Sequence, residues 1–369
     1  MQPVPARAGD PLDTIETPAL CVDLDAFERN LDRMADATQG MRLRPHAKSH
    51  KCPDIARAQI ARGAVGVCCQ KTDEAAAFVA AGVRDVLVTN EVVAPRKIAR
   101  LAALARDATI GVLVDSTDVV PVLSEAARAI GVTLDVYIEI DVGAHRCGVA
   151  PGAPAAGLAR AVVAAPGLRF RGLQAYQGAA QHLRTPEERH AAIATAAEHA
   201  RATRAAIVAA GIACDIVTGA GTGTYRLEQS SGAYDELQPG SYVFMDVDYG
   251  RNTLAADDVR FDQSLFVLSA VMSAPAPERV VVDAGLKAFS FDAGLPIVHG
   301  WPGLEYRKAT DEHGILAVAG GASPPRLGEH VWLVPGHCDP TVNLYDWIVA
   351  FRGDTVEAVW PITARGALG

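Results

Sequence analysis

The sequence predicts a (β/α)8 barrel followed by an all-β domain. From about residue 40 to residue 250, short β-like runs alternate with amphipathic, Ala-rich stretches of helix length. After about residue 255 the helical periodicity stops, and short alternating runs separated by Pro and Gly take over. The number of strand candidates in the first region then favours a closed barrel over an open sheet.

The barrel strands are expected at 41–47, 66–70, 85–90, 109–115, 133–141, 169–177, 214–218 and 236–246. Helical patterns at 72–82, 94–106, 117–130, 153–165 and 186–210 lie between them. The last connection, 219–235, is rich in Gly and Ser and does not read as a regular helix. The second region offers strands at 264–271, 279–284, 315–318, 329–334, 346–351 and 355–360, and the run 18–24 is expected to join them. The expected division is a barrel over 25–255 and a β domain made of 1–24 plus 256–369.

A chain of 369 residues, half of them hydrophobic, can bury a sizeable core. The formal net charge of -9 argues against nucleic-acid or anionic-membrane partners, which select basic surfaces. No apolar run reaches membrane-spanning length, and the N-terminus lacks the apolar core of a signal peptide. The seven cysteines are scattered without metal-type or scaffold spacing, which suits reduced thiols in a cytoplasm.

In a parallel barrel, chemistry collects where the strands end. The first candidate strand runs into Arg44-Pro45-His46-Ala47-Lys48-Ser49-His50-Lys51. Such a cluster is either a solvated basic helix start or the seat of a lysine nucleophile, its pKa lowered by neighbouring cations, able to form a Schiff base. The turn Gly221-Thr222-Gly223 follows the seventh candidate strand, and Gly240-Ser241-Tyr242 lies within the eighth. Their backbone N–H groups and hydroxyls can cradle a phosphate. In the second region, His337-Cys338-Asp339 offers an imidazole and a carboxylate. Along an extended segment His337 and Asp339 share a face while Cys338 points away, a pair that suits Zn, Mn or Mg.

Together these residues resemble the D-threonine aldolase and D-serine dehydratase family, which has the alanine-racemase type of pyridoxal-phosphate fold (fold type III). The resemblance runs over nearly the whole chain. It includes Arg44-Pro45-His46-Ala47-Lys48, Cys68-Cys69-Gln70-Lys71, Arg146-Cys147-Gly148, Gln174-Ala175-Tyr176 and Gly221-Thr222-Gly223. It continues through Gly240-Ser241-Tyr242, Asp248-Tyr249-Gly250 and His337-Cys338-Asp339-Pro340.

The resemblance implies that Lys48 carries pyridoxal phosphate as a Schiff base. Arg146 would face the cofactor ring, Tyr176 and Gln70 would line it, and the two glycine turns would hold its phosphate. His337 and Asp339 would bind a divalent cation. A homodimer is implied too, with one subunit's β domain near the other's barrel mouth.

Dehydratase members carry a Cys two residues after the metal-binding His, which suits zinc. Here that position is Asp339, which points to the aldolase branch and to Mn or Mg. The expected reaction is retro-aldol cleavage of a D-β-hydroxy-α-amino acid, with His182 as the candidate base. Leu43 to Pro53, Arg184 to Arg189 and Ser264 to Pro277 resemble D-threonine aldolases. Gln177, Gly336 to Asp339 and Trp360-Pro361 resemble 3-hydroxy-D-aspartate aldolases, and the balance falls on D-threonine. Arg226 and His145 are candidate partners for a second substrate carboxylate. Two rivals stand beside this reading: a dehydratase using the same lysine, and a non-catalytic pyridoxal-phosphate carrier.

Overall fold

The structure is a computed structural model that describes residues 2–369. Eight parallel strands form one sheet: Arg42–Leu43, Val67–Cys69, Asp85–Glu91, Thr109–Val114, Leu134–Glu139, Leu168–Gln174, Ile216–Gly219 and Glu236–Leu237. The first strand pairs with the eighth, and a parallel bridge between His46 and Cys68 closes the ring. The central strands Asp85–Glu91, Thr109–Val114 and Leu134–Glu139 are buried on both faces over most of their length, so they read as near-continuous apolar runs. Val86, Val88, Val112, Val114, Val136 and Ile138 pack outward against the helices. Their neighbours Leu87, Leu113 and Tyr137, with Cys68 and Ile216, fill the interior. Gly172 cannot be replaced there: at φ +147°, a Cβ would lie 1.8 Å from the Ile216 carbonyl oxygen.

Ion pairs close one end of the barrel. The buried Arg44 guanidinium meets Glu236 at 2.9 Å and Asp85 at 2.6 Å, and both acids open their strands. The other end, where the strands run out, is the one at which a parallel barrel gathers its loops and its chemistry. All four non-glycine residues of positive φ among the described residues, Lys51, His145, Ala220 and Met245, sit on loops at that end. Such conformations cost energy and persist where packing over-determines the backbone.

Two departures from expectation concern the end of the barrel. The eighth strand is only Glu236–Leu237, and the chain then turns through the 3-10 turn Ser241–Val243. The connection expected to be irregular contains the helix Tyr225–Ser231, which Gly232 terminates at φ +65°. The long helix Pro186–Ala209 starts as its sequence suggests, with Pro186 in the first turn and a capping box between Thr185 and Glu188.

The second layer is a nine-stranded sheet. Its main path runs Leu304–Ala309, Gly314–Val318, Arg279–Val282, Leu265–Ala276, Ala19–Asp23, Trp347–Arg352 and Thr355–Pro361. Strands Ile297–His299 and His330–Val334 branch from it. The N-terminal strand Ala19–Asp23 joins as expected, antiparallel to Leu265–Ala276 and parallel to Trp347–Arg352. It then hands the chain to the amphipathic helix Leu24–Ala37, which Asp23 caps through the N–H groups of Asp25 and Ala26.

Candidate active site

A cavity of about 530 Å3 opens where the barrel strands end. Lys48, Gln70, Arg146, Tyr176, His182, Gly221, Thr222 and Gly240 all line it. Eight positions singled out from separate parts of the sequence thus meet in one space.

Lys48 stands on the 3-10 turn Ala47–Ser49, whose start is capped by the ring of His46. Its Nζ donates to Asp339 Oδ2 at 2.7 Å, so the barrel's lysine meets the β domain's carboxylate. Asp339 raises the Lys48 ammonium above its ordinary pKa, against the opposing effect of burial. Burial acts to raise Asp339, but the charges of Lys48 and His337 outweigh it and hold the carboxylate below its usual range. His46 itself is driven well below the usual imidazole pKa, by burial first and by Lys48 next. Its Nε2 lies 2.9 Å from Thr89 Oγ1 and 3.1 Å from Gln70 Nε2, which fixes Gln70 against the cavity wall.

The two glycine turns touch one another. The Tyr242 N–H donates to Thr222 Oγ1 at 3.1 Å. Gly221 leaves no room for a side chain, since a Cβ would lie 2.5 Å from the Gln181 carboxamide. At Gly240 a Cβ would lie 2.7 Å from the His46 carbonyl oxygen. Not every residue of these turns reaches the cavity. Gly223 donates its N–H to Gln181 Oε1 at 2.9 Å and lines a neighbouring cavity instead. The Tyr242 side chain turns away from the cavity: it is buried against Phe261, with its hydroxyl accepting from Gln59. The Ser241 hydroxyl turns to Asp339 Oδ1 at 3.3 Å.

His337 and Asp339 do not lie along an extended segment. Residues Cys338–Val342 form a short helix with His337 at its N-cap. Asp339 and Pro340 in a first turn favour such a start, since the acid complements the free N–H groups and proline lacks one. The alternation that set Cys338 on the opposite face therefore does not apply. Cys338 is buried, with Sγ 3.3 Å from Asp339 Oδ1.

Three supporting acids had no role assigned from sequence. Asp248 Oδ2 is 2.7 Å from His182 Nδ1. Asp292 Oδ2 is 2.7 Å from His337 Nδ1. Glu139 lies 3.5 Å from the Arg146 guanidinium, which itself sits 5.8 Å from the Tyr176 ring centroid. Sequence separations of 66 and 45 residues hid the first two pairs. The two candidates for a second substrate carboxylate are engaged elsewhere. Arg226 lines the neighbouring cavity and pairs with Asp257. His145 is mostly exposed and pairs with Asp141.

The alanine racemase N-terminal domain profile matches residues 22–248, and a serine dehydratase domain profile matches 264–351. A D-threonine aldolase of Arthrobacter sp is 49% identical over 367 residues, covering 99% of this chain and 96% of the relative. The chain belongs to the D-threonine aldolase family. Its family members include a 3-hydroxy-D-aspartate aldolase of Paracoccus denitrificans, 47% identical over 98% of this chain and 95% of the relative. The crystal structure of the D-threonine aldolase from Filomicrobium marinum superposes with a TM-score of 0.97. It is 50% identical and covers 99% of this chain and 100% of that one. A D-threo-3-hydroxyaspartate dehydratase of Delftia sp. is more distant, 33% identical over 95% of this chain and 98% of the relative. The D-threonine aldolase family is pyridoxal-phosphate-dependent, and this member is a lyase with the alanine-racemase-type barrel and an antiparallel β domain.

Proposed function

We propose that this protein cleaves D-β-hydroxy-α-amino acids between Cα and Cβ, with D-threonine as the preferred substrate and 3-hydroxy-D-aspartate as the second. The observation that carries this is the Lys48–Asp339 contact, which sets a cofactor-type lysine against a carboxylate that can hold a hard cation.

The residues fit pyridoxal phosphate. The cavity lining carries the basic side chains of Lys48 and Arg146 and no carboxylate side chain, which suits an anionic group. Lys48 would hold the cofactor covalently, the Gly221-Thr222 and Gly240 turns its phosphate, and Arg146, Tyr176 and Gln70 its ring. Pyridoxal phosphate, when bound, supplies an electron sink for the charge left at Cα.

The residues also fit a divalent cation. Asp292 takes one ring nitrogen of His337, as a supporting carboxylate does for a metal-binding imidazole, and leaves Nε2 free. One imidazole and one carboxylate leave positions for oxygen donors, which favours Mn or Mg over Zn. Such an ion would supply Lewis acidity toward a substrate hydroxyl.

His182 lines the cavity with Nδ1 on Asp248, so its Nε2 is the nitrogen aimed at substrate. It takes the β-hydroxyl proton as the Cα–Cβ bond breaks and the aldehyde leaves. A proton delivered to Cα completes glycine. D-threonine then gives glycine and acetaldehyde, and 3-hydroxy-D-aspartate gives glycine and glyoxylate.

A dehydratase would release ammonia and a keto acid instead. Asp339, where that branch carries Cys, favours the aldolase. The β domain with its His337–Asp339 pair likewise argues against a single-barrel carrier. We place the protein as a homodimer in a reducing cytoplasm, which suits its seven unpaired cysteines. Product analysis with both substrates, with and without added Mn or Mg, tests the assignment. Metal-dependent glycine from D-threonine supports it, and a keto acid from either substrate contradicts it.

A further inference from the structure

A second group of metal-type donors lies at the same rim of the barrel, apart from Lys48 and the His337–Asp339 pair. Glu91 ends the third barrel strand, Asp115 follows the fourth, and Cys147 lies in the turn after the fifth. One ligand atom from each lies within 4.8 Å of the other two. Glu139, at the end of the fifth strand, stands beside Glu91.

Glu139 is 4% exposed, and its Oε2 has no hydrogen-bond partner. The buried Glu91 Oε1 likewise has no donor outside the group, where only the Glu139 carboxyl and the Cys147 thiol face Glu91. Burial, then the Glu91 carboxyl beside it, pushes Glu139 up to about 8, with Arg146 acting the other way. Burial and Glu91 push the Cys147 thiol up to about 11. Buried acceptor oxygens without donors are costly, and carboxylates crowded together call for a positive charge. Arg146 meets the need only in part, from 3.5 Å and on Glu139 Oε1.

We propose that Glu91, Asp115 and Cys147 form a second cation site, with Glu139 completing it, for a divalent ion of zinc's borderline softness. Thiolate and carboxylate together select zinc or cadmium over magnesium and calcium. Binding exchanges protons for the ion: the thiol loses its proton, as does any carboxyl that holds one, and both go to solvent. Asp115 Oδ2 already accepts the Gly148 N–H at 3.2 Å, so an ion here would tie the ends of three strands to the turn that carries Arg146.

The test uses holoenzyme stripped of metal by a chelator and then loaded with cadmium-113. Its NMR shift separates sulfur-ligated from oxygen- and nitrogen-ligated ions. The expected result is one resonance in the sulfur-ligated range beside that of the His337–Asp339 site. Cys147→Ser should remove it, and Glu91→Gln should weaken zinc binding there by roughly tenfold or more. Asp339→Asn should leave it in place. No sulfur-shifted resonance in the parent protein would overturn the proposal, leaving a proton shared between Glu91 and Glu139 as the only occupant. Persistence of that resonance in Cys147→Ser would overturn it too.

Discussion

Lys48 Nζ and Asp339 Oδ2 lie 2.7 Å apart across 291 positions of sequence, and this contact joins the barrel to the β domain. Asp339 thus faces a positive charge from the barrel while standing beside His337. The identity of this one side chain should then set which ion the β domain prefers. Asp339→Cys supplies a soft thiolate in place of a hard carboxylate and should move preference from manganese toward zinc by roughly tenfold or more. Competition dialysis read by metal analysis checks this. An unchanged zinc-to-manganese ratio would remove Asp339 from the ligand set.

Lys48→Ala should abolish the visible absorbance band of the purified protein, because no other cavity-lining residue is a lysine. A band retained in the variant would place the attachment elsewhere.

His182 is held by Asp248, and Asp248 is held in turn by Arg184. Burial acts to raise Asp248, but its bonds to Arg184 and His182 outweigh that and keep it below the usual carboxylate range. His182→Asn should lower kcat by roughly 100-fold or more while the cofactor spectrum stays intact. Steady-state kinetics with D-threonine decide it. A rise in KM with unchanged kcat would make His182 a binding group and not the base.

Glu228 is fully buried, with Oε1 accepting from Thr224 at 2.8 Å and Oε2 without a partner. Burial raises it to about 7, with the Thr224 bond acting the other way. The folded protein therefore holds a proton that the unfolded chain releases near pH 4.5. Stability from this group is present below pH 4.5 and falls as pH rises toward about 7, by on the order of 3 kcal/mol. Glu228→Gln removes that slope. Denaturant unfolding from pH 4.5 to pH 8 should show the variant gaining on the parent by a similar amount. A difference independent of pH would mean that Glu228 ionises freely in the fold.

The barrel was legible because its central strands are buried on both faces and read as apolar runs between helix-length segments. Lys48 was legible as part of the cluster of lysines and histidines that follows the first barrel strand. The helix Tyr225–Ser231 was not, because seven residues among Gly and Ser carry too little periodicity. The His337 turn is also short, and its pattern is ambiguous. Asp339 and Pro340 signal a helix start, but the preceding strand His330–Val334 suggested that the extended chain continued. The supporting acids Asp248, Asp292 and Glu139 follow no local spacing rule. Their roles depend on which loops the fold brings together.

Counting both products of D-threonine turnover by the metal-loaded holoenzyme is the most direct test of the central assignment. Equal amounts of glycine and acetaldehyde, with no ammonia, are the predicted result. Ammonia and a keto acid in place of glycine would contradict it.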